Sequence, residues 1–245
     1  MCRHWTPLLY GKMKNKFTAV LWDVDGTLLD FEYSQRYAIT ECFHTAGLEI
    51  TDEIIERYGR INDSYWKRLE LKEVTKAELL TGRFFALFEE LGISGVDVEA
   101  FRRQYQRELG SVYCYLDDSL SVCRSLKGKV SQYVITNGVA STQRNKLEIS
   151  GLADVMDGIF ISEEVGADKP DPEFFDVCLE SIPEKDREKI LVAGDSLSSD
   201  IKGGIKAGLK TCWYRPEGKE NNTPWKPDYE ISSLGRIYEV LGISK

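Results

Sequence analysis

The sequence predicts an α/β fold: a parallel sheet core of Rossmann type covered by helices on both faces, with an all-helical segment inserted near its start. Three observations predict it. Short apolar runs recur along the chain, several of them stopped by Asp, Asn or Gly. Amphipathic stretches of helical period lie between most of them, and strands that alternate with helices pair in parallel with both faces buried. The alternation fails once, from about Glu32 to Leu109, where only the helical period is present.

Phe17 to Trp22 (FTAVLW) reads as a buried strand stopped by Asp23 and Gly26. The helical stretch follows. Ile54, Tyr58, Ile61, Tyr65 and Leu69 share one face, as do Leu80, Phe84, Leu87 and Leu91, then Val98, Phe101, Tyr105 and Leu109. That is too many residues for a plain crossover. It predicts an α/β core from residues 1–30 and 111–245, and a helical cap from residues 31–110. The alternation then resumes, with helices at Ser119–Leu126, Thr142–Ser150, Pro172–Leu179 and Ser199–Ala207. Strands fall at Val130–Ile135, Gly158–Ile161, Ile190–Ala193 and Lys210–Tyr214. Arg215 to Lys226 reads as a surface loop. Tyr229–Ile231 and Leu234–Leu241 read as a last strand and helix.

Composition narrows the function classes. The 245 residues carry 32 Lys and Arg against 40 Asp and Glu, a net charge of −8. That balance argues against a nucleic-acid polymer as partner, but not against a small phosphorylated metabolite. With 42% hydrophobic residues the chain is not a disordered one. No apolar run is long enough to span a membrane. The opening Met1–Met13 is too interrupted for a signal peptide, and Met13 is an alternative start, so a cytoplasmic protein is expected. The cysteines at positions 2, 42, 114, 123, 178 and 212 form no C-x-x-C pair, and His is scarce, which predicts reduced thiols and no zinc site. A monomer or weak homo-oligomer is expected.

Four polar clusters follow four of the predicted strands. In open parallel sheets ligands sit beyond the carboxyl ends of the strands. Asp23-Val24-Asp25-Gly26-Thr27 comes after the first strand, and alternation puts Asp23 and Asp25 on the same side. Two adjacent carboxylates without a local cation are costly, and Mg²⁺ with oxygen ligands is the natural partner. A solvated Asp-rich turn is the alternative. Thr136-Asn137-Gly138 after the second strand offers donors to a phosphate, or a simple helix cap. Lys169, framed by Pro170 and Pro172, offers an ammonium to an anion, or sits solvated in a loop. Gly194-Asp195-Ser196 follows the fourth strand, making Asp195 a second carboxylate for the same cation. Asp200, a turn or so later, either supports Lys169 and the metal or complements a helix dipole.

These residues resemble the four motifs of the haloacid dehalogenase (HAD) superfamily, and the resemblance runs from about Phe17 onward. Asp23–Ile39 (DVDGTLLDFEYSQRYAI), Ile61–Glu70 (INDSYWKRLE), Arg83–Ile93 (RFFALFEELGI) and Ala207–Arg215 (AGLKTCWYR) further resemble its pyrimidine 5′-nucleotidase group. The resemblance implies a Mg²⁺-dependent phosphatase acting on small phosphomonoesters. Asp23 would be the nucleophile that forms an aspartyl-phosphate, and Asp25 the acid and then base. Asp23, Asp195 and the Asp25 carbonyl would be metal ligands. Thr136, Asn137 and Lys169 would be the phosphoryl-binding set, with Asp200 behind them. A carboxylate at Asp25 favours phosphoryl chemistry over dehalogenation, because a departing halide needs no proton.

The implied cap contacts are Asn62, Trp66, Lys67 and Arg83; Trp66 would otherwise complete the cap core, and Lys67 and Arg83 would otherwise lie on a solvated face. Phe31 and Tyr33 would line the entrance or pack the hinge. A nucleoside 5′-monophosphate is the favoured substrate. The alternatives are a sugar-phosphate phosphatase or phosphomutase and, in another class, a non-catalytic phospho-metabolite sensor.

Overall fold

The computed structural model describes residues 15–216 and 220–244. Met1–Met13, with its alternative start and Cys2, lies outside them.

The strands are β1 (Ala19–Trp22), β2 (Ser131–Thr136), β3 (Gly158–Ile161), β4 (Ile190–Gly194), β5 (Lys210–Tyr214) and β6 (Tyr229–Ile231). They form one parallel sheet in the order β3-β2-β1-β4-β5-β6. Strand β1 is apolar along its length because both of its faces are covered. Val20 and Trp22 enter one core with Val134, Leu191 and Cys212, while Ala19 and Leu21 enter the other with Ile135, Phe174 and Val192. The strand order reverses beside β1, which pairs with β2 on one side and β4 on the other. That reversal opens a crevice at the strands' carboxyl ends.

The first four of the five helices between β1 and β2 form the inserted stretch: α1 (Phe31–Thr45), α2 (Asp52–Glu70), α3 (Lys76–Leu91) and α4 (Val98–Ser111). Each starts on a side-chain cap. Asp30 accepts from the Tyr33 amide, Thr51 from Ile54 and Asp97 from Ala100, and Thr75 with Glu78 forms a reciprocal capping box. The four enclose a third core of their own, built from Phe43, Tyr58, Phe84, Phe88, Phe101 and Tyr105. Tyr58 and Phe84 stack with centroids 5.6 Å apart, and Tyr105 meets both rings edge-on. Phe84→Ala is expected to cost about 3–5 kcal/mol in urea unfolding, because the cavity would open where three rings meet. A loss below about 1 kcal/mol would show that this packing is not a core.

The remaining helices are α5 (Ser119–Leu126), α6 (Ala140–Ile149), α7 (Ser162–Val165), α8 (Pro172–Ser181), α9 (Lys202–Lys206) and α10 (Ile237–Leu241). Three details depart from the sequence expectation. Helix α6 begins two residues early, at Ala140. Ser162–Val165 forms a single turn, closed by Gly166 at φ +87°. The helix expected from Ser199 opens as a π turn, Leu197–Ile201, whose widened backbone leads into α9. No described helix is long and apolar enough to cross a membrane. The described cysteines, Cys42, Cys114, Cys123, Cys178 and Cys212, are all unpaired thiols.

Candidate active site

The crevice beside β1 gathers the polar clusters. Asp23 is the first residue beyond β1, and its amide donates to the Ala193 carbonyl of β4, which ties the two strand ends together. Lys169 reaches it from the loop after α7. Its Nζ donates to Asp23 Oδ1 at 2.7 Å, Asp200 Oδ1 at 2.7 Å and the Ile135 carbonyl at 3.0 Å. Those three bonds use all three ammonium hydrogens. Lys169 is 2% exposed, so the solvated-loop reading does not hold.

Asn137 explains how a loop delivers that lysine. Its Nδ2 donates to the Lys169 carbonyl, and its Oδ1 accepts from the Lys169 amide, both at 2.8 Å. Asn137 therefore acts as a splint for the Lys169 backbone. Thr136 Oγ1 accepts from the Gly138 amide at 3.1 Å, so its hydroxyl bonds locally at the end of β2. Asp200 is buried and also accepts from the Ser196 amide at 3.1 Å, which fixes it by more than a helix dipole.

Asp23, Asp195 and Asp200 bring carboxylate oxygens within 4.8 Å of one another. Gly26 (φ +89°) makes that approach possible, since a Cβ there would sit 2.8 Å from Asp195 Oδ1. Thr27 donates to Asp23 Oδ2 at 3.1 Å. Burial, opposed by Lys169 and aided by the charges of Asp200 and Asp25, leaves the Asp23 carboxyl raised to about 7. Burial raises Asp200 as well, again opposed by Lys169. Burial works against the Lys169 charge, but the Asp200 and Asp23 carboxylates outweigh it and hold the ammonium above the ordinary lysine range. A set of three hard oxygen donors, two of them sharing one ammonium, fits a divalent cation such as Mg²⁺.

Asp25 turns to a different partner set. Lys146 Nζ donates to its Oδ1 at 2.6 Å, and Gln143 Nε2 to its Oδ2 at 2.5 Å, both from α6. Sequence reasoning missed Gln143 and Lys146. In the run Gln143-Arg144-Asn145-Lys146 they read as solvated helix surface, and nothing local marks them as buried.

The four-helix segment closes over one side of the crevice. Lys76 Nζ donates to Ser162 Oγ at 2.6 Å and Asp168 Oδ1 at 3.1 Å, and Lys72 pairs with Asp171 at 2.9 Å. A cavity of about 320 Å³ lies along this seam, lined by Leu69, Glu70, Thr75, Asp168 and Lys169 among others. Of the expected cap contacts, Asn62 and Arg83 are buried together inside the segment, with Arg83 Nη1 donating to Asn62 Oδ1 at 2.6 Å. The Arg83 guanidinium lies 4.9 Å from the Phe84 and Tyr105 ring centres, so the solvated-face reading is corrected for this residue: an arginine stem and planar head pack between rings. Trp66 is half-buried and Lys67 exposed on α2. Phe31 lies 5.9 Å from Lys146 Nζ at its ring centre, and Tyr33 is exposed.

Residues 17–208 match the haloacid dehalogenase-like hydrolase family, a span that runs from just before β1 to just past α9 and includes every cluster described above. The chain belongs to that family. Among HAD relatives, the HAD-hydrolase YfnB of Bacillus subtilis is 36% identical over 93% of this chain and 97% of its own. The pyrimidine 5′-nucleotidase PynA of Streptococcus pneumoniae is 34% identical over 91% of this chain and 94% of its own. The pyrimidine 5′-nucleotidase YjjG of Escherichia coli is 30% identical over 92% and 98%. A crystal structure of YfnB bound to magnesium superposes with a TM-score of 0.89 over 93% of this chain and all of that one. This HAD chain is a phosphoric monoester hydrolase, a phosphatase of the family.

Proposed function

We propose that the chain is a Mg²⁺-dependent phosphatase that works through an aspartyl-phosphate on Asp23, and that it prefers nucleoside 5′-monophosphates. The observation that carries the mechanism is the Asp23–Lys169–Asp200 triad at 2.7 Å, closed off from bulk water. Residues 31–110 act in this reading as a cap over the α/β core of residues 1–30 and 111–245.

An Asp23 carboxylate oxygen attacks phosphorus and the ester P–O bond breaks. Asp25 gives its proton to the departing oxygen. Asp25 then takes a proton from water as that water attacks phosphorus, which frees Asp23 and inorganic phosphate. Two anions must meet in the first step, and Lys169 supplies fixed positive charge beside the attacking oxygen. Thr136 and the Asn137-splinted loop shape the rim that receives the phosphoryl group. Mg²⁺, held by Asp23, Asp195 and the Asp25 carbonyl with Asp200 behind them, would supply further charge neutralisation and favour the ionised nucleophile. The preference for pyrimidine nucleotides is supported by two relatives of that activity that match over more than nine-tenths of this chain.

A panel of phosphomonoesters assayed with Mg²⁺ tests the reading. Nucleoside 5′-monophosphates are expected to give the highest kcat/KM, and chelation with EDTA to remove turnover. Added Mg²⁺ is expected to raise the melting temperature, since it binds the folded carboxylate set alone. Turnover of sugar phosphates with none of any nucleotide would replace the substrate assignment and leave the phosphatase class standing.

A further inference from the structure

Both oxygens of Asp25 are held from α6, by side chains three residues apart on one face of the helix. We propose, building on the reading in which Asp25 moves the proton of the leaving group, that Gln143 and Lys146 are positioning residues that aim the Asp25 carboxyl, with Gly138 giving Gln143 its path.

Lys146 is fully buried (0% exposed), and its ammonium ends on Asp25 Oδ1 at 2.6 Å. A buried ammonium is costly without an acceptor, and Asp25 Oδ1 accepts its hydrogen bond in either protonation state of the carboxyl. An ammonium closed off in this way does not touch a leaving group; it acts through the carboxyl it holds. Gln143 is 1% exposed and takes the other oxygen. A carboxyl group turns easily about its terminal bond, because that torsion is broad. Two donors fixed on one helix remove that freedom. Each carboxyl oxygen has a second lone-pair position, so the clamped group still carries a proton to the ester oxygen or accepts one from water.

The helix that holds the clamp is itself anchored. Thr142 Oγ1 donates to the Gln106 carbonyl at 3.0 Å and to Gln106 Oε1 at 2.8 Å, and Asn145 Nδ2 donates to the Gly110 carbonyl at 2.9 Å. Residues 142–146 therefore face α4 and Asp25 at once. Gly138 supplies an independent sign of the same design. A Cβ on Gly138 would lie 2.3 Å from Gln143 Nε2 and 2.5 Å from its Cγ, so a side chain there drives the amide off Asp25.

The test compares kcat/KM for two esters, a nucleoside 5′-monophosphate whose alkoxide needs a proton to leave, and p-nitrophenyl phosphate, whose leaving group does not. The variants are Gln143→Leu, Lys146→Met and Gly138→Ala, with Asp25→Asn as reference. Each clamp variant is expected to lose about a hundredfold on the nucleotide, the scale of a misaligned catalytic group, and under about tenfold on p-nitrophenyl phosphate. Gly138→Ala is the sharpest of the three, since it deletes no hydrogen-bonding group. Equal losses on both esters, or no loss, would overturn the clamp, provided Asp25→Asn discriminates between the esters. If Asp25→Asn itself falls equally on both, Asp25 is not the leaving-group acid and the mechanism above fails with it. Thermal melts accompany the kinetics; should Lys146→Met not fold, Gln143→Leu and Gly138→Ala decide the outcome.

Discussion

Asp23→Asn is expected to lower kcat by about 10⁴–10⁶, the scale seen when a covalent nucleophile is removed. The amide cannot form the acyl-phosphate, and Asp200 and Asp25 are held elsewhere, Asp200 by Lys169 and Ser196 and Asp25 by α6. The same substitution is not expected to lower the melting temperature of the metal-free protein at pH 8. Burial raises the Asp23 carboxyl to about 7, far above an exposed aspartate, so the fold favours its neutral form. Ionised Asp23 therefore burdens the fold above pH 7, and this burden fades as the pH falls from about 7 toward the ordinary aspartate value of 3.8. Asparagine removes the charge, at the cost of one contact to Lys169. Activity is given up while stability is kept, as is common where a site stores unfavourable charge for function. Phosphate-release kinetics and calorimetry check the pair of outcomes. Residual activity within tenfold of the parent would exclude Asp23 as nucleophile.

Lys169→Met should damage both properties. Removing the ammonium leaves Asp23 and Asp200 buried beside each other with no shared cation. Breaking a buried ion pair from one side costs roughly 3–5 kcal/mol. Turnover is expected to fall by about 10²–10³ or more, as when one preorganised charge-stabilising donor is lost. Mg²⁺ gives this variant its signature. A divalent cation drawn to the Asp23–Asp195–Asp200 set offsets part of the missing charge. The melting temperature of Lys169→Met should therefore rise more steeply with Mg²⁺ than that of the parent. Equal slopes would mean that the lysine and the metal do not share these carboxylates.

Much of the site is visible in the amino-acid order because strand ends are visible. Asp23, Thr136 and Asp195 each stand at the end of an apolar run, and a parallel sheet places such ends on one rim. Lys169 was marked by its prolines, though not by its burial. The uses of several residues were not visible. Nothing local shows that the Asn137 amide braces the Lys169 backbone. Arg83 has the composition of a solvated helix face, yet it lies among aromatic rings. Lys146 and Gln143 follow no pattern that separates them from the surface residues around them.

The amino-acid order alone dictates the period of each segment, the sign of each cluster and the alternation that makes the sheet parallel, since these depend on neighbours within a turn or two of backbone. Which buried donor meets which carboxylate is different. Asp25 and Lys146 are 121 residues apart, and Asp23 and Lys169 are 146 apart. Their pairing depends on how α6 and the Lys169 loop are seated against the ends of β1, which packing sets and no local pattern encodes.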